Sequence, residues 1–176
     1  MKHTNYQMPL SAVIEEIRIA LRAGALFPAL TSIFSLMDTM AYLYTEQEKQ
    51  NRTDFINWVD KYLKTSDDQT YQYTGKDMYG ARCGLLHSLV ARSDYVEQES
   101  CKLYAYDTKI QNHEINSLRV KQEHRDRHII ISVWRLFLDL ENAINNFFDD
   151  ISKNSSLKIR VDARAHKLFW SFQYAN

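Results

Sequence analysis

Residues that interrupt helices are scarce in this sequence, which has four glycines and two prolines among 176 residues. Proteins built from short strands and tight turns need more of both residues, because glycine and proline supply the backbone angles of turns. The sequence also has no internal repeat and no low-complexity tract. We therefore expect one helix-rich domain over residues 1–176, with a core at roughly 10–152 and a C-terminal extension at 153–176.

Cysteine is nearly absent as well. Cys83 and Cys101 are too few and too far apart for a disulfide framework or a zinc knuckle. This usage fits a reducing compartment, so the sequence predicts a cytoplasmic protein. We also expect no metal and no cofactor.

Net charge and long apolar runs are the other absences. The 22 basic residues balance the 22 acidic ones, which excludes a protein that coats nucleic acid through its overall charge. The longest uncharged stretch, Ala23 to Met37, is shorter than a membrane span and contains Pro28. It also begins too late for a signal peptide. We expect a soluble protein with no membrane association.

Apolar residues at helical spacing fill the first half of the chain. The predicted helices are roughly 11–23 with Gly24 as the stop, one that opens near Pro28, one capped by Thr53 and Asp54, and one that opens with Thr74-Gly75-Lys76-Asp77 and runs to about Asp94. Short connections between such helices indicate an up-and-down bundle, with the second helix central to the core.

The second half of the sequence is less regular. Lys102–Tyr106 and His128–Ile131 are short β-branched or aromatic runs, which predict two strands of a small hairpin. Ser132 can cap a long helix that reaches about Ile151, and the tail from Ser156 to Phe169 is weakly helical in pattern. The predicted fold class is thus mostly α: a helical bundle with a possible two-stranded hairpin and a long C-terminal helix.

The richest chemical signal is Arg82-Cys83-Gly84-Leu85-Leu86-His87 on the fourth predicted helix. An arginine grips phosphate through a rigid fork of donors, and an imidazole moves protons near neutral pH. Five residues advance about 140° beyond a full helical turn, so Arg82 must reach round the helix to meet His87. The small residue Gly84 leaves room for another backbone or a substrate strand. The same segment also fits a core-edge arginine and a core or capping histidine.

The segment Tyr79-Gly80-Ala81-Arg82-Cys83-Gly84-Leu85-Leu86-His87-Ser88 resembles the signature of the HEPN superfamily, an arginine followed after four to six residues by a histidine. The resemblance covers roughly residues 10–150. It implies an α-helical bundle with the motif on a late helix. It also implies a homodimer whose two motifs face a shared cleft and act as a metal-independent endoribonuclease.

On this resemblance, Arg82 would hold the scissile phosphate, and His87 would move the proton between the 2′-hydroxyl and the leaving 5′-oxygen. The products would carry 2′,3′-cyclic phosphate and 5′-hydroxyl ends. Such domains are common in toxin-antitoxin and phage-defence systems, where a protein antitoxin is a possible partner. Other members bind RNA without cutting it.

Three further residues are candidates for supporting this pair. Many active members of the superfamily have asparagine, aspartate or histidine directly after the arginine, where this chain has Cys83, a poorer hydrogen-bonding group. Ser88 follows His87 directly. Asp38 lies on the apolar second helix, where a buried carboxylate needs a partner, and Arg82 or His87 is the obvious candidate. Asp38 would orient the site, or would only neutralise a buried charge.

A basic cluster is the candidate for holding the RNA backbone: Arg119, Lys121, Arg125 and Arg127. Acidic residues within the cluster also fit a solvated loop. His124 and His128 have a spacing that suits zinc on a helix, but no third ligand is evident, so we expect no metal there.

Aromatic residues near the C-terminus form a second candidate RNA surface: Phe147, Phe148, Phe169, Trp170 and Phe172. They would stack on bases, or they would form core and dimer interface. The sequence thus favours an RNA-cleaving homodimer. A noncatalytic dimer that binds RNA, a nucleotide or a protein is the alternative, and a purely structural helical dimer is the third.

Overall fold

A computed structural model of the chain describes residues 7–63, 73–88, 93–99, 101–108, 121–124 and 126–168, and only the backbone of residues 7–9 and 88. Within these ranges the helices are α1 (Gln7–Arg22), α2 (Leu26–Tyr44), α3 (Arg52–Trp58), α4 (Gly75–Ser88), α5 (Asp94–Gln98), α6 (Val133–Lys153) and α7 (Ser155–Ala165). A π-helical turn, Val59–Leu63, follows α3, and a 3-10 turn, Gln122–His124, precedes the second of two strands, β1 (Leu103–Asp107) and β2 (His128–Ser132). The predicted fold class, a mostly helical bundle with one small sheet, is confirmed.

Helix α2 is the centre of the bundle, as its broad apolar face predicts. It packs against α1, α3, α4, α6 and α7. Its buried residues are Ala29, Leu30, Ile33, Phe34, Leu36, Met37, Met40, Ala41 and Leu43. By length and composition α2 could cross a membrane, but half of its apolar stretch is buried inside the protein. Core helices of globular proteins have the same composition.

Two of the predicted helix boundaries are confirmed by their caps. Gly24 has a φ of +71° after the last turn of α1, in the left-handed region that glycine adopts without steric cost. The side chain of Ser132 accepts a hydrogen bond from the backbone N–H of Arg135 and begins α6. A left-handed glycine therefore ends α1, and a polar cap begins α6.

Helix α3 begins earlier than predicted, because Asn51, and not Thr53 or Asp54, is its N-cap. The Asn51 side chain accepts from the backbone N–H groups of Thr53 and Asp54, at 2.7 and 3.2 Å. The Asp54 carboxylate accepts from the Asn51 backbone N–H at 2.8 Å. This reciprocal capping box satisfies backbone N–H donors at the first turn of the helix. Thr53 therefore lies inside the first turn and does not cap it.

Helix α4 begins as predicted but does not run to Asp94. Thr74 Oγ1 accepts from the backbone N–H of Asp77 at 3.1 Å, which caps the start. Ser93 has an extended backbone, and its side chain accepts from the Val96 N–H to begin the separate helix α5. An extended residue with a capping hydroxyl ends any continuous helix before it.

The two predicted strands exist, but they do not form a hairpin. β1 and β2 pair in parallel, with Leu103 opposite His128 and Asp107 opposite Ser132. A hairpin joins antiparallel strands through a tight turn, whereas parallel strands need a long crossover. The polar stretch between the two runs supplies that length, so the prediction of an antiparallel pair was wrong.

The C-terminal segment is more than an extension of the core. Helix α7 contributes Leu157, Val161 and Ala165 to the same apolar cluster that contains the α2 face. Asn154 caps this helix by accepting from the Leu157 N–H at 3.0 Å. The weakly predicted helix in the tail is therefore real over Ser155–Ala165, and the core continues past residue 152.

Candidate functional site

The Arg82 guanidinium is held from across the bundle by Asp38. One carboxylate oxygen of Asp38, Oδ2, accepts from Arg82 Nε at 2.9 Å and lies 2.8 Å from Nη2. The two side chains are 22% and 24% exposed, so the ion pair is mostly shielded from water. Because Asp38 engages one edge of the guanidinium, it fixes the direction in which Nη1 points.

His87 lies at the remaining edge of the same guanidinium. Arg82 Nη1 is 3.1 Å from His87 Nε2, so the arginine does reach round the helix. A guanidinium only donates hydrogen bonds, so Nε2 must be the acceptor, and the neutral imidazole then carries its proton on Nδ1. His87 is exposed, whereas Arg82 is only partly so. Asp38, Arg82 and His87 thus form a line from the bundle interior to the surface.

Asp38 and Arg82 each shift the pKa of the other. Burial raises the pKa of Asp38, and the hydrogen bond and the charge of Arg82 oppose that shift. Burial disfavours the charge of Arg82, but the hydrogen bond and the charge of Asp38 outweigh it and raise its pKa. The arginine is therefore a permanent cation with one edge neutralised and one edge directed outward.

Sequence reasoning missed an aromatic row that continues from Arg82. The Arg82 guanidinium carbon lies 5.9 Å from the centre of the Tyr79 ring. Tyr79 meets Tyr95 edge to face at 4.9 Å, and the Arg52 guanidinium carbon lies 5.3 Å from the Tyr95 ring. The spacing of Tyr79 and Arg82 on one helix could have shown the first contact, but Arg52 and Tyr95 come from other helices.

Two glycines allow the helices of this row to approach closely. A Cβ on Gly80 would lie 2.8 Å from Cγ2 of Val96, so α5 can sit directly on α4 only because residue 80 has no side chain. A Cβ on Gly75 would lie 2.4 Å from the backbone oxygen of Ile56, so α3 can also approach α4 closely only because residue 75 has no side chain. The Ser93 hydroxyl also donates to the Gly80 carbonyl at 3.4 Å.

The other predicted residues on α4 differ in position. Cys83 is half-buried beside Tyr79, whose pKa is raised by burial first and then by this thiol. Gly84 is buried, which favours the first of its two alternatives, close approach of another part of the protein, over a substrate strand. Ser88 ends α4, and its backbone alone is described.

The predicted basic cluster is only partly within the described residues. Arg119 and Arg125 lie outside them. Lys121 and Arg127 are exposed, and Arg127 lies 3.8 Å from Glu97 of α5. Among the described contacts, none joins Lys121 or Arg127 to Arg82 or His87.

The remaining candidates have structural positions. Phe147 is fully buried and Phe148 packs against the core, while Phe169, Trp170 and Phe172 lie outside the described residues. The rings of His124 and His128 meet edge to face at 5.6 Å. Within the described ranges, no three His, Cys, Asp or Glu side chains are grouped as a metal site would require.

Comparisons with protein-family models, with curated proteins and with solved structures found no match to this chain.

Proposed function

We propose that this chain is a metal-independent endoribonuclease of the HEPN type that cleaves RNA with Arg82 and His87. The observation that carries the proposal is the 3.1 Å contact between Arg82 Nη1 and His87 Nε2 beside the Asp38 ion pair. This contact puts a phosphate-binding cation and a proton carrier within reach of the same phosphodiester of the substrate. Ordinary core packing does not require an exposed imidazole there.

The substrate would exchange partners with His87. A phosphate oxygen takes the hydrogen bond of Arg82 Nη1, which frees the lone pair of His87 Nε2. Nε2 then accepts the proton of the 2′-hydroxyl while the 2′-oxygen bonds to phosphorus. The bond from phosphorus to the 5′-oxygen breaks, and that oxygen takes a proton from the imidazolium. The ends are a 2′,3′-cyclic phosphate and a 5′-hydroxyl.

Asp38 would act as a positioning residue in this scheme. It occupies Nε and Nη2 of Arg82, at 2.9 and 2.8 Å, and so directs Nη1 toward the substrate. Two copies of the chain, with their motifs facing one cleft, would present two such lines to the RNA. A cytoplasmic location and a role in a toxin-antitoxin or phage-defence system belong to the same proposal.

The test is cleavage of labelled RNA by the purified full chain in EDTA. Wild type should cut, and Arg82→Ala and His87→Ala should each reduce the rate by at least about 100-fold. Arg82→Lys should be nearly as poor as Arg82→Ala, because an ammonium cannot hold Asp38 and phosphate through one planar fork. Mass spectrometry should find the cyclic phosphate ends.

Matched controls are Arg22→Ala, at the end of α1, and His166→Ala, at the C-cap of α7, which change exposed residues of the same types elsewhere in the fold. Both should cut like wild type. Cleavage that survives in Arg82→Ala and His87→Ala would reject the assigned site. Cleavage that needs a divalent metal would reject the mechanism.

A noncatalytic RNA-, nucleotide- or protein-binding dimer is the second candidate, and one observation favours it. Arg82 is already paired with Asp38 and bonded to His87, so the line carries little free charge in this state. Cys83 adds no strong hydrogen-bonding group beside it. RNA that binds wild type but stays intact would favour this candidate.

A further inference from the structure

A row of two tyrosine rings with an arginine at each end leads away from the proposed site. From the site outward, its members are Arg82, Tyr79, Tyr95 and Arg52, with successive distances of 5.9, 4.9 and 5.3 Å. They come from three helices, α4, α5 and α3. The positive charges of both arginines act on the Tyr79 hydroxyl, since each opposes the rise of its pKa.

The far end of the row is open to solvent. Arg52 is exposed, and Tyr79 and Tyr95 are half-buried, so ring surface remains accessible. Among the described residues, Arg52 makes no ion pair, in contrast to Arg82 with Asp38. Its cation therefore remains available to an outside anion. An exposed cation over a ring is worth only about 0.5–1 kcal/mol, too little to lock Arg52 in place.

Packed helices support the row. Arg52 is the first residue of α3, directly after the Asn51 N-cap and inside the Asn51–Asp54 capping box. The buried ring of Phe55 supports Tyr79 at 5.7 Å. Gly80 lets α5 approach, which brings Tyr95 onto Tyr79. Ring positions held by three packed helices suit a binding surface better than ones on a free loop.

Two acidic side chains on and just after α5 already have cationic partners other than Arg52. The Glu99 carboxylate lies 3.2 Å from Lys76 Nζ, and that of Glu97 lies 3.8 Å from Arg127. Asp54 is bonded to the Asn51 N–H. The surface that is left combines two aromatic rings with one free positive charge.

We infer that Arg52 and Tyr95 form a nucleotide subsite for single-stranded RNA beside the Arg82–His87 site. Arg52 binds a backbone phosphate of the same strand, away from the scissile position, and Tyr95 stacks on an unpaired base. This inference rests on the proposed function for the identity of the ligand as RNA. It goes further by excluding duplex, because an A-form helix keeps its base faces stacked inside and offers none to a tyrosine.

Binding is measured by fluorescence anisotropy of the full chain with a short labelled 2′-O-methyl RNA of mixed sequence. This probe has no free 2′-hydroxyl, so the proposed chemistry cannot cut it. The dissociation constant is determined across a range of salt concentrations. A blunt duplex of the same sequence is the second probe, and it should bind more weakly than the single strand.

Each variant has its own signature. Arg52→Gln should lower the slope of log affinity against log salt by about 0.7, the value for one phosphate contact on a single strand. Arg52→Lys should keep most of that slope, since it retains the charge. Tyr95→Leu should weaken binding about tenfold with the slope unchanged, because it removes stacking and no charge. Tyr95→Phe should bind nearly like wild type.

Arg22→Gln is the matched control, because it removes an exposed arginine on α1 and should leave the slope unchanged. Unchanged binding by Arg52→Gln and Tyr95→Leu, or equal affinity for the duplex, would overturn the subsite even if RNA cleavage by Arg82 and His87 stands. If the variants behave as expected but wild type never cuts RNA, the subsite stands and the nuclease does not. No binding of either probe by wild type would overturn the subsite.

Discussion

Asp38 Oδ2 binds two nitrogens of the Arg82 guanidinium although the residues are 44 positions apart in the chain. The contact joins the central helix α2 to α4. It has two consequences that can be separated by experiment: it stabilises the bundle, and it points Nη1 at His87.

Removing either partner of this pair should destabilise the protein, since it leaves a mostly shielded charge alone. We expect Asp38→Ala and Arg82→Ala each to lower the free energy of unfolding by about 1–3 kcal/mol. The double variant should lose less than the sum, with a coupling energy of about 1 kcal/mol. Urea denaturation of the four proteins measures this cycle. Strict additivity would mean that the pair adds nothing to stability.

Gly80→Ala should destabilise the fold, although alanine normally stabilises a helix relative to glycine. The new Cβ would lie 2.8 Å from Cγ2 of Val96, so α5 must shift. Overpacking of this kind costs about 1–3 kcal/mol, which exceeds the helix gain of about 1 kcal/mol. Thermal unfolding measures the change. Val96→Ala in the same chain should restore part of the loss, and a Gly80→Ala variant more stable than wild type would show that the contact yields easily.

The stability of the wild type should depend on pH through Asp139 on α6. Asp139 is buried, accepts from the Tyr73 hydroxyl at 2.9 Å and pairs with Arg135 at 3.0 Å. Burial raises its pKa, and these partners oppose the shift only in part. The folded state therefore holds the proton more tightly than the unfolded chain. This group favours folding more as pH falls from the raised pKa toward about 3.9.

Asp139→Asn, which cannot titrate, measures that contribution. The unfolding free energy of wild type minus that of Asp139→Asn should rise as pH is lowered from neutral toward about 4. Asp149→Asn, on the exposed side of α6, is the control for an aspartate that faces water. A difference that falls as pH is lowered would mean that Tyr73 and Arg135 outweigh burial.

Local signals predicted the helices well, because apolar spacing and caps act within one turn. Ser132 begins its helix and Gly24 ends its helix, as their residue types suggest. The α3 boundary was missed because Asn51, Thr53 and Asp54 are all good caps, and only the Asp54 contact to the Asn51 N–H decides among them. Strand direction was missed for another reason: composition does not encode whether two runs meet in parallel.

The residues of the candidate site also divide into those that the sequence indicates and those that only tertiary packing brings together. Arg82 and His87 were singled out because their spacing resembles a family motif, and Asp38 because a charged side chain on an apolar helix stands out in a sequence. Arg52 and Tyr95 were not found, since each lies on a separate helix and is unremarkable there. Their proximity to Tyr79 comes from the packing of α3 and α5 on α4, which depends on Gly75 and Gly80. Tertiary contacts of that kind leave no trace in local spacing.

The parallel pairing of β1 and β2 also bears on the order in which the chain folds. The two strands can pair only after the whole crossover between Asp107 and His128 has closed, and closing a long loop costs entropy before any contact repays it. Contacts between helices adjacent in sequence, such as α1 with α2, carry no such delay. We therefore expect amide protons of the early helices to gain protection from hydrogen exchange first, with those of the strand pair following last.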